Sequence, residues 1–298
     1  MTRPSFGLLM PMWGGDRPDR AEAAIRSATL EQDLPPEIIV LSVDGPLDAA
    51  LDRLVARIGD GEFGEAIVLR HRDHRGLART LQDGLEAMPA PIVARADADD
   101  LCRPERFARQ IPFFREHGLD LLGSAMQEFS DEVAPGTGPK RSRPLTQAEI
   151  EKYLPTHSPF HHPTVVMKRE TALAVAGYRE LPLLEDYWLW ERMMLGGARM
   201  ANLPDVLVDY RVDADLFARR GGFTLIGSDL RLQRIMHRDG VTSTAQAVRN
   251  MGMRLAYRLA PGGLRRIGYR HLVESRTPTG EERTPPSPPE APRSPGLT

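Results

Sequence analysis

Four residues, Asp97-Ala98-Asp99-Asp100, follow an apolar run from Pro91 to Ala96 (PIVARA) that reads as a β-strand. Asp97 and Asp99 stand two apart where that strand ends, so their carboxylates can reach the same side. Two carboxylates held together repel unless a cation or a proton lies between them. Mg²⁺ and Mn²⁺ favour oxygen ligands, and Mg²⁺ is commonly held by one or two carboxylates plus substrate phosphates. Asp97 and Asp99 are therefore candidate ligands for Mg²⁺ or Mn²⁺ at a metal–diphosphate site. The alternative is an acidic turn whose aspartates cap the helix expected from Pro104.

A second acidic residue of interest, Asp44, closes the run Glu37 to Val43 (EIIVLSV) and precedes Gly45-Pro46. At a strand's carboxyl end an Asp can accept hydrogen bonds from a base N–H or a ribose hydroxyl. Asp-Gly is also an ordinary turn pair. Arg75-Gly76 and Arg79 follow a third strand and could face phosphate or form a solvated basic face. His71 with His74, and His157 with His161 and His162, lack diagnostic zinc spacing and have no second cysteine to join them, so they read as loop or acceptor-site histidines. Cys102, the only cysteine, reads as a small buried side chain, and no disulfide can form within the chain. A Gly-x-x-x-x-Gly-Lys-Ser/Thr phosphate loop is absent, which excludes that class of NTPase.

The elements that must position these residues alternate in type. Strands are expected at Phe6 to Met12, Glu37 to Val43, Ala66 to Arg70, Pro91 to Ala96 and Leu119 to Ser124. Helices are expected at Asp19 to Leu30, Leu47 to Ile58, Leu77 to Met88 and Pro104 to His117. Such alternation implies βαβ units and a largely parallel sheet, with ligands outside the strands' carboxyl ends. Residues 131–145 read as a flexible surface loop rich in Pro, Gly and Ser. A mixed segment from Gln147 to Val208 follows, then an Arg-rich helical region from about Gly222 to Val273. The tail from Thr277, dominated by Pro, Ser, Thr and Glu, is expected to be disordered.

Composition narrows the function classes. The 298 residues carry a formal net charge of −2, so the whole molecule is no electrostatic binder of nucleic acid. No apolar run approaches the roughly 18 residues needed to span a bilayer, and Phe6 to Trp13 lacks the basic leader and cleavage site of a signal peptide. A cytoplasmic location is expected. Between Ala245 and Val273 lie Arg249, Arg254, Arg258, Arg265, Arg266 and Arg270 with no acidic residue, interleaved with apolar positions. This segment reads as the solvated basic face of helices packed on the rest of the chain. Peripheral contact with the inner face of a membrane is the alternative.

Several pieces, in order, resemble the family-2 inverting glycosyltransferases of GT-A fold. They are Leu8-Leu9-Met10-Pro11-Met12-Trp13, Ser27 to Gln32 (SATLEQ), Val43-Asp44-Gly45, Arg75-Gly76-Leu77-Ala78 and Ala96 to Asp100. The second half adds His162 to Arg169 (HPTVVMKR), Gly177-Tyr178-Arg179, Leu184 to Arg192 (LEDYWLWER) and Tyr210-Arg211. The ordered set spans about residues 5–212. The fold implied is a GT-A-like, mostly parallel central sheet flanked by helices. It would comprise a nucleotide-sugar-binding half over 1–124 and an acceptor half over 125–222. A helical region over 223–275 and a disordered tail over 276–298 would follow.

The resemblance also implies roles. Pro11, Trp13, Asp44, Arg75, Asp97 and Asp99 would line the nucleotide-sugar site, with Asp44 at the base and Asp99 and Asp97 toward the metal. Asp186 would be the general base on an acceptor hydroxyl, supported by Glu185. His162 and Trp188 would lie on the acceptor side, although Trp188 and Trp190 also read as alternate members of a buried helix turn. The implied donor is a UDP-sugar and the acceptor a saccharide or lipid-linked saccharide. The sequence departs from the family pattern at Pro46, in a run usually Asp-Asp-Gly-Ser, and at Gln82, where Asn is common. The His that often follows the Tyr-Arg pair is missing, and Arg211 or Asp213 would have to substitute for it. A sugar-nucleotidyltransferase and a non-catalytic sugar- or nucleotide-binding module are the competing readings. The first would be expected to carry a Gly-rich basic loop, of which Gly14-Gly15-Asp16-Arg17 is a poor version.

Overall fold

The computed structural model describes residues 5–212 and 223–259. Strand β1 spans Gly7–Trp13, and its alternate side chains enter different cores. Leu8, Met10 and Met12 pack on one side of the sheet, and Leu9 packs on the other. A strand apolar on both faces must be covered on both, which is why the run lacks polar alternation. The parallel neighbours are β2 (Ile39–Asp44), β3 (Ala66–Arg70) and β4 (Ile92–Arg95). They are connected through helices α1 (Pro18–Ser27), α2 (Ala49–Gly59) and α3 (Leu77–Ala87). Pro18 starts α1, and the Asp48 carboxylate caps α2 by accepting from the amides of Ala50 and Leu51, both at 2.8 Å.

After β4 come β5 (Leu101–Cys102), α4 (Arg106–Glu116), β6 (Leu121–Phe129) and β7 (Lys140–Arg141). Then follow α5 (Gln147–Tyr153), a 3-10 turn (His162–Thr164), β8 (Val166–Lys168), α6 (Arg169–Ala174), α7 (Glu185–Leu195) and β9 (Met200–Arg211). The sheet runs β3-β2-β1-β4-β8-β6-β9-β5, with β7 beside β6. Strands β8 and β5 are antiparallel to their neighbours, while β6 and β9 pair in parallel. The expectation of a wholly flexible 131–145 is corrected at Lys140–Arg141, which pairs with Gln127 and Met126 of β6. The expected strand at Leu119 to Ser124 continues to Phe129 because β9 extends beside it across two register irregularities.

Helices α8 (Phe223–Arg238) and α9 (Thr244–Leu259) complete the described chain. Leu232, Ile235 and Met236 of α8 join the core beneath α7 that also holds Trp190 and Met193. In α9, Asn250 donates to Gln233 Oε1 at 3.1 Å and to the Pro155 carbonyl at 2.9 Å, and Arg254 pairs with Asp229. The C-terminal helices are thus tied to the loop after α5. Asp213, the segment 260–273 and the tail lie outside the described residues. Among the described residues no helix is long and apolar enough to cross a membrane.

Candidate active site

Parallel pairing sets the carboxyl ends of β1, β2 and β4 side by side. Trp13 is the register partner of Asp44, and Leu9 that of Arg95. The Ala96 amide donates to the Leu9 carbonyl at 3.1 Å, so the aspartate run begins level with Pro11. It is then fixed at its far end, because Leu101 and Cys102 pair at once with Asp209 and Val208 of β9. Arg211 closes the loop from β9. Its amide donates to Asp100 Oδ1 at 2.8 Å, its Nε to the Asp99 carbonyl at 3.1 Å, and its guanidinium lies 4.3 Å from the Phe129 ring centroid. A loop held at both ends keeps its carboxylates in place without a ligand.

The carboxylates of Asp97, Asp99 and Asp100 each offer an oxygen within 4.8 Å of the others. Two oxygens on one Mg²⁺ at about 2.1 Å lie at most about 4.2 Å apart, so a small closure would seat a cation. Asp100 is buried, and among the described residues its Oδ2 has no hydrogen-bond partner. Burial first, then Asp99 and Asp97, pushes its carboxyl well above the usual range. An orphaned buried carboxylate oxygen facing two more carboxylates fits a divalent cation. Asp97 is also ion-paired with Arg95, whose buried guanidinium lies beneath the loop.

A fourth carboxylate, Asp16, lies near enough to feel the charge of this group. Its Oδ2 accepts from the Trp13 amide at 2.8 Å. Burial chiefly, with Asp99 and Asp97 adding to it, pushes its carboxyl up to about 7. The sequence held a signal for both Asp16 and Arg95. Asp16 follows a parallel strand's carboxyl end, and Arg95 precedes Asp97 by one strand period.

The Asp44 carboxylate is buried, and protein donors occupy both its oxygens. Oδ1 accepts from the Arg75 amide at 2.6 Å, and Oδ2 accepts from the Gly76 amide at 2.9 Å and lies 2.9 Å from His74 Nδ1. It holds the start of α3, and any base contact must use lone pairs these donors leave. Gly45 makes this approach possible: at φ +88° a Cβ there would lie 2.9 Å from the His74 amide nitrogen. Trp13 is exposed, with its ring centroid 5.6 Å from that of His74.

Across from the aspartates stands the start of α7. Glu185 and Asp186 occupy its first turn, where the helix dipole favours negative charge. Leu183, at φ 67°, turns the chain into this helix. Burial, then Asp186, raises the Glu185 carboxyl to about 7. Tyr178 is the hub between the two sides. Its hydroxyl shares a 2.9 Å hydrogen bond with His162 Nε2. Its acidity is suppressed, by burial first and also by Asp186, Glu185 and Asp97. His162 is held well below its usual range by burial and by Arg95, so its ring is neutral. Trp190 is fully buried and Trp188 nearly so, with Arg192 4.9 Å from the Trp188 ring centroid.

Gln82 explains itself. Its Oε1 accepts from the Tyr178 amide at 2.7 Å, anchoring the Tyr178 loop to α3. Gly177, at φ +52°, is required there because a Cβ would lie 1.9 Å from that same oxygen. Cys102 is buried against Arg106, with its thiol raised by burial, consistent with a packing role.

These elements coincide with a known sequence family. The model described as Glycosyl transferase family 2 matches residues 10–175. Amylovoran biosynthesis glycosyltransferase AmsE of Erwinia amylovora is 32% identical over 231 residues, which is 77% of this chain and 85% of the relative. The chain belongs to glycosyl transferase family 2. It is a glycosyltransferase. An Escherichia coli relative described as UDP-Gal:alpha-D-GlcNAc-diphosphoundecaprenol beta-1,3-galactosyltransferase is 29% identical, with 91% of this chain and 97% of that relative covered. Among solved structures, Staphylococcus aureus TarS 1-349 in complex with UDP-GlcNAc aligns with TM-score 0.61 and 16% identity, over 83% of this chain and 70% of that one. The mannosyltransferase PcManGT of Pyrobaculum calidifontis, in complex with GDP-Man and Mn²⁺, aligns with TM-score 0.58 and 15% identity, over 92% and 81%. The fold of this family-2 glycosyltransferase is GT-A.

Proposed function

We propose that this glycosyltransferase moves a sugar from a UDP-sugar to a hydroxyl of a saccharide acceptor, with inversion. The observation that carries the reading is the facing of two acidic groups across one crevice: Asp97, Asp99 and Asp100 on the sheet, and Glu185 with Asp186 on α7. Asp97 and Asp99, with Asp100 behind them, would hold Mg²⁺ or Mn²⁺. That cation, when bound, neutralises charge developing on the departing nucleoside diphosphate. The preference for uridine rests on the relatives whose descriptions carry UDP-Gal and UDP-GlcNAc.

Trp13 and the loop held by Asp44 would border the base. Asp186 would take the proton of the attacking hydroxyl, a contribution of about 10²–10⁴-fold. Attack from the α7 side, opposite the diphosphate, inverts the anomeric centre. Arg95 fixes the orientation of Asp97, and neutral His162 with Tyr178 would present hydrogen-bonding groups to the acceptor. The missing His after Tyr210-Arg211 is offset in part by Arg211, which holds the aspartate loop through its amide and Nε.

The exposed residues of α9, Val248 at 60% and Met253 at 52%, share one face with Ala245, Arg249 and Gly252, also exposed. No acidic residue occurs from 240 to 273. Peripheral contact of this face with an anionic bilayer follows from that complementarity and suits a cytoplasmic enzyme. Co-sedimentation of the full chain with anionic vesicles should fall in Val248→Asp/Met253→Asp; equal binding would refute it.

The test of the donor site is thermal unfolding with UDP, GDP, TDP and their sugars, each with Mn²⁺ and with EDTA. A ligand at ~100 times its Kd stabilises by about 2.7 kcal/mol. The expected result is a metal-dependent shift with UDP that is lost in Asp99→Ala. Asp186→Asn should keep that shift while losing most turnover; retained turnover would remove the base from Asp186.

A further inference from the structure

The loop from β6 to β7, residues 130–139, carries the carboxylate of Asp131 to a point between two arginines from distant elements. Arg20, in the first turn of α1, lies 3.0 Å from Asp131 Oδ2, and Arg211, at the end of β9, lies 3.1 Å from Asp131 Oδ1. Each carboxylate oxygen thus takes one arginine. The arginine side chains are largely buried, 12% and 11% exposed, whereas that of Asp131 is 68% exposed. The rest of the loop is stitched down as well. The Gly136 amide donates to Asp209 Oδ1 at 3.1 Å, and Gln127 donates to the Gly138 carbonyl at 2.7 Å. Asp209 is the register partner of Leu101, so the loop is fastened where the aspartate run enters β5.

Arg211 is the common element. Its Nη1 faces Asp131, its Nε donates to the Asp99 carbonyl at 3.1 Å, its guanidinium covers the Phe129 ring, and its amide donates to Asp100 Oδ1. A guanidinium is planar, so fixing Nη1 also fixes where Nε points. Asp131 therefore constrains the peptide between Asp99 and Asp100 through one rigid group. Arg20 holds the same carboxylate from the other side, on the helix that follows the Trp13–Asp16 turn. We infer that Asp131 and Arg20 are positioning residues for the metal-binding carboxylates, forming with Arg211 a latch that sets the backbone of the aspartate loop. The inference rests on the reading of Asp97 and Asp99 as ligands of Mg²⁺ or Mn²⁺, and it adds the loop and the helix that hold them ready. A competing account is charge alone: Asp131 would attract a cation and the two arginines would repel it. The accounts differ in sign for the arginines. Neutralising an arginine near a cation strengthens binding by charge, whereas loosening a latch weakens it.

The experiment measures Mn²⁺ binding to the full chain by calorimetry, with and without saturating UDP, and hydrogen exchange in EDTA over residues 97–103 and 205–212. Asp131→Asn should weaken Mn²⁺ binding by about three- to tenfold, below the roughly 10–100-fold cost of losing a group bonded directly to a ligand, because Asp131 acts one contact further out. Arg20→Met should weaken it too, against the direction of its charge. Both variants should speed exchange in the two segments, the second of which contains the Arg211 amide, while β2 and β3 exchange as in wild type. Exposed ion pairs add little to stability, so Asp131→Asn should keep its unfolding temperature in EDTA. Glu132→Gln removes the same charge one residue along the loop and should change neither readout. Tighter or unchanged Mn²⁺ binding in Arg20→Met overturns the inference, as does a loss in Glu132→Gln equal to that in Asp131→Asn. Unchanged exchange in Asp131→Asn, or faster exchange that extends to β2 and β3, overturns it as well. If the wild-type chain binds no Mn²⁺ with or without UDP, the metal reading falls, and exchange in EDTA still decides whether Asp131 and Arg20 hold the aspartate loop.

Discussion

Glu185→Gln tests the electrostatics of the acceptor side most directly. Glu185 is 7% exposed and adjoins Asp186, and these two influences raise its carboxyl from 4.5 to about 7. The folded protein therefore keeps a proton that the unfolded chain releases near pH 4.5. Stability from this group is present below that pH and is lost as pH rises through 7. At 1.36 kcal/mol per pH unit the loss reaches at most about 3 kcal/mol by pH 8. Gln keeps the outline of the side chain and removes the titration. Urea unfolding in EDTA at pH 5 and pH 8 isolates the term, because Asp16, Asp100 and Glu191 titrate in both proteins and cancel in the difference. The variant should gain about 2–3 kcal/mol on wild type between the two pH values. Turnover should fall as well, since Asp186 without its charged neighbour is a weaker base, and the inflection of the rate near pH 7 should flatten. Identical pH slopes for the two proteins, within about 0.5 kcal/mol, would refute the assignment of a shared, buried carboxylate pair.

Three further outcomes follow from other contacts. Glu191 is fully buried, with no hydrogen-bond partner for either oxygen among the described residues and with its carboxyl raised to about 7 by burial, so Glu191→Met should stabilise the protein at pH 8 by about 1–3 kcal/mol and much less at pH 5, measured by the same unfolding curves. Gly177→Ala places a methyl 1.9 Å from Gln82 Oε1 at a positive φ, and should cost about 1–3 kcal/mol and lower turnover by moving Tyr178, read by thermal unfolding and by rate. Asp44→Ala removes the acceptor of the Arg75 and Gly76 amides, and should weaken UDP binding by tenfold or more in calorimetry while the Mn²⁺ dependence of what binding remains persists.

Much of this protein could be read from its chain because the signals were local. The apolar runs ending in Asp44 and Asp97, separated by helices of period 3.6, specify parallel βαβ units and so place those aspartates at one edge. The first-half strands and helices emerge within a few residues of their expected bounds for that reason. The pair Glu185 and Asp186 was marked only by the family resemblance, and the structure sets it in the first turn of α7, where acidic residues suit the helix dipole. Long-range packing decided what those residues face. That Asp44 spends both oxygens on the α3 loop depends on β2 and α3 meeting 31 residues apart, which no spacing encodes. Asp16 and Arg95 join the aspartates because three strands end side by side, and Arg211 does so from 111 residues away. Glu180 likewise gains its partner only in three dimensions: it follows Arg179 in the sequence, but the fold pairs it with Arg79. Local periodicity and turn chemistry fix elements, whereas ion-pair partners and orphaned oxygens depend on which elements the tertiary packing brings within a few ångströms.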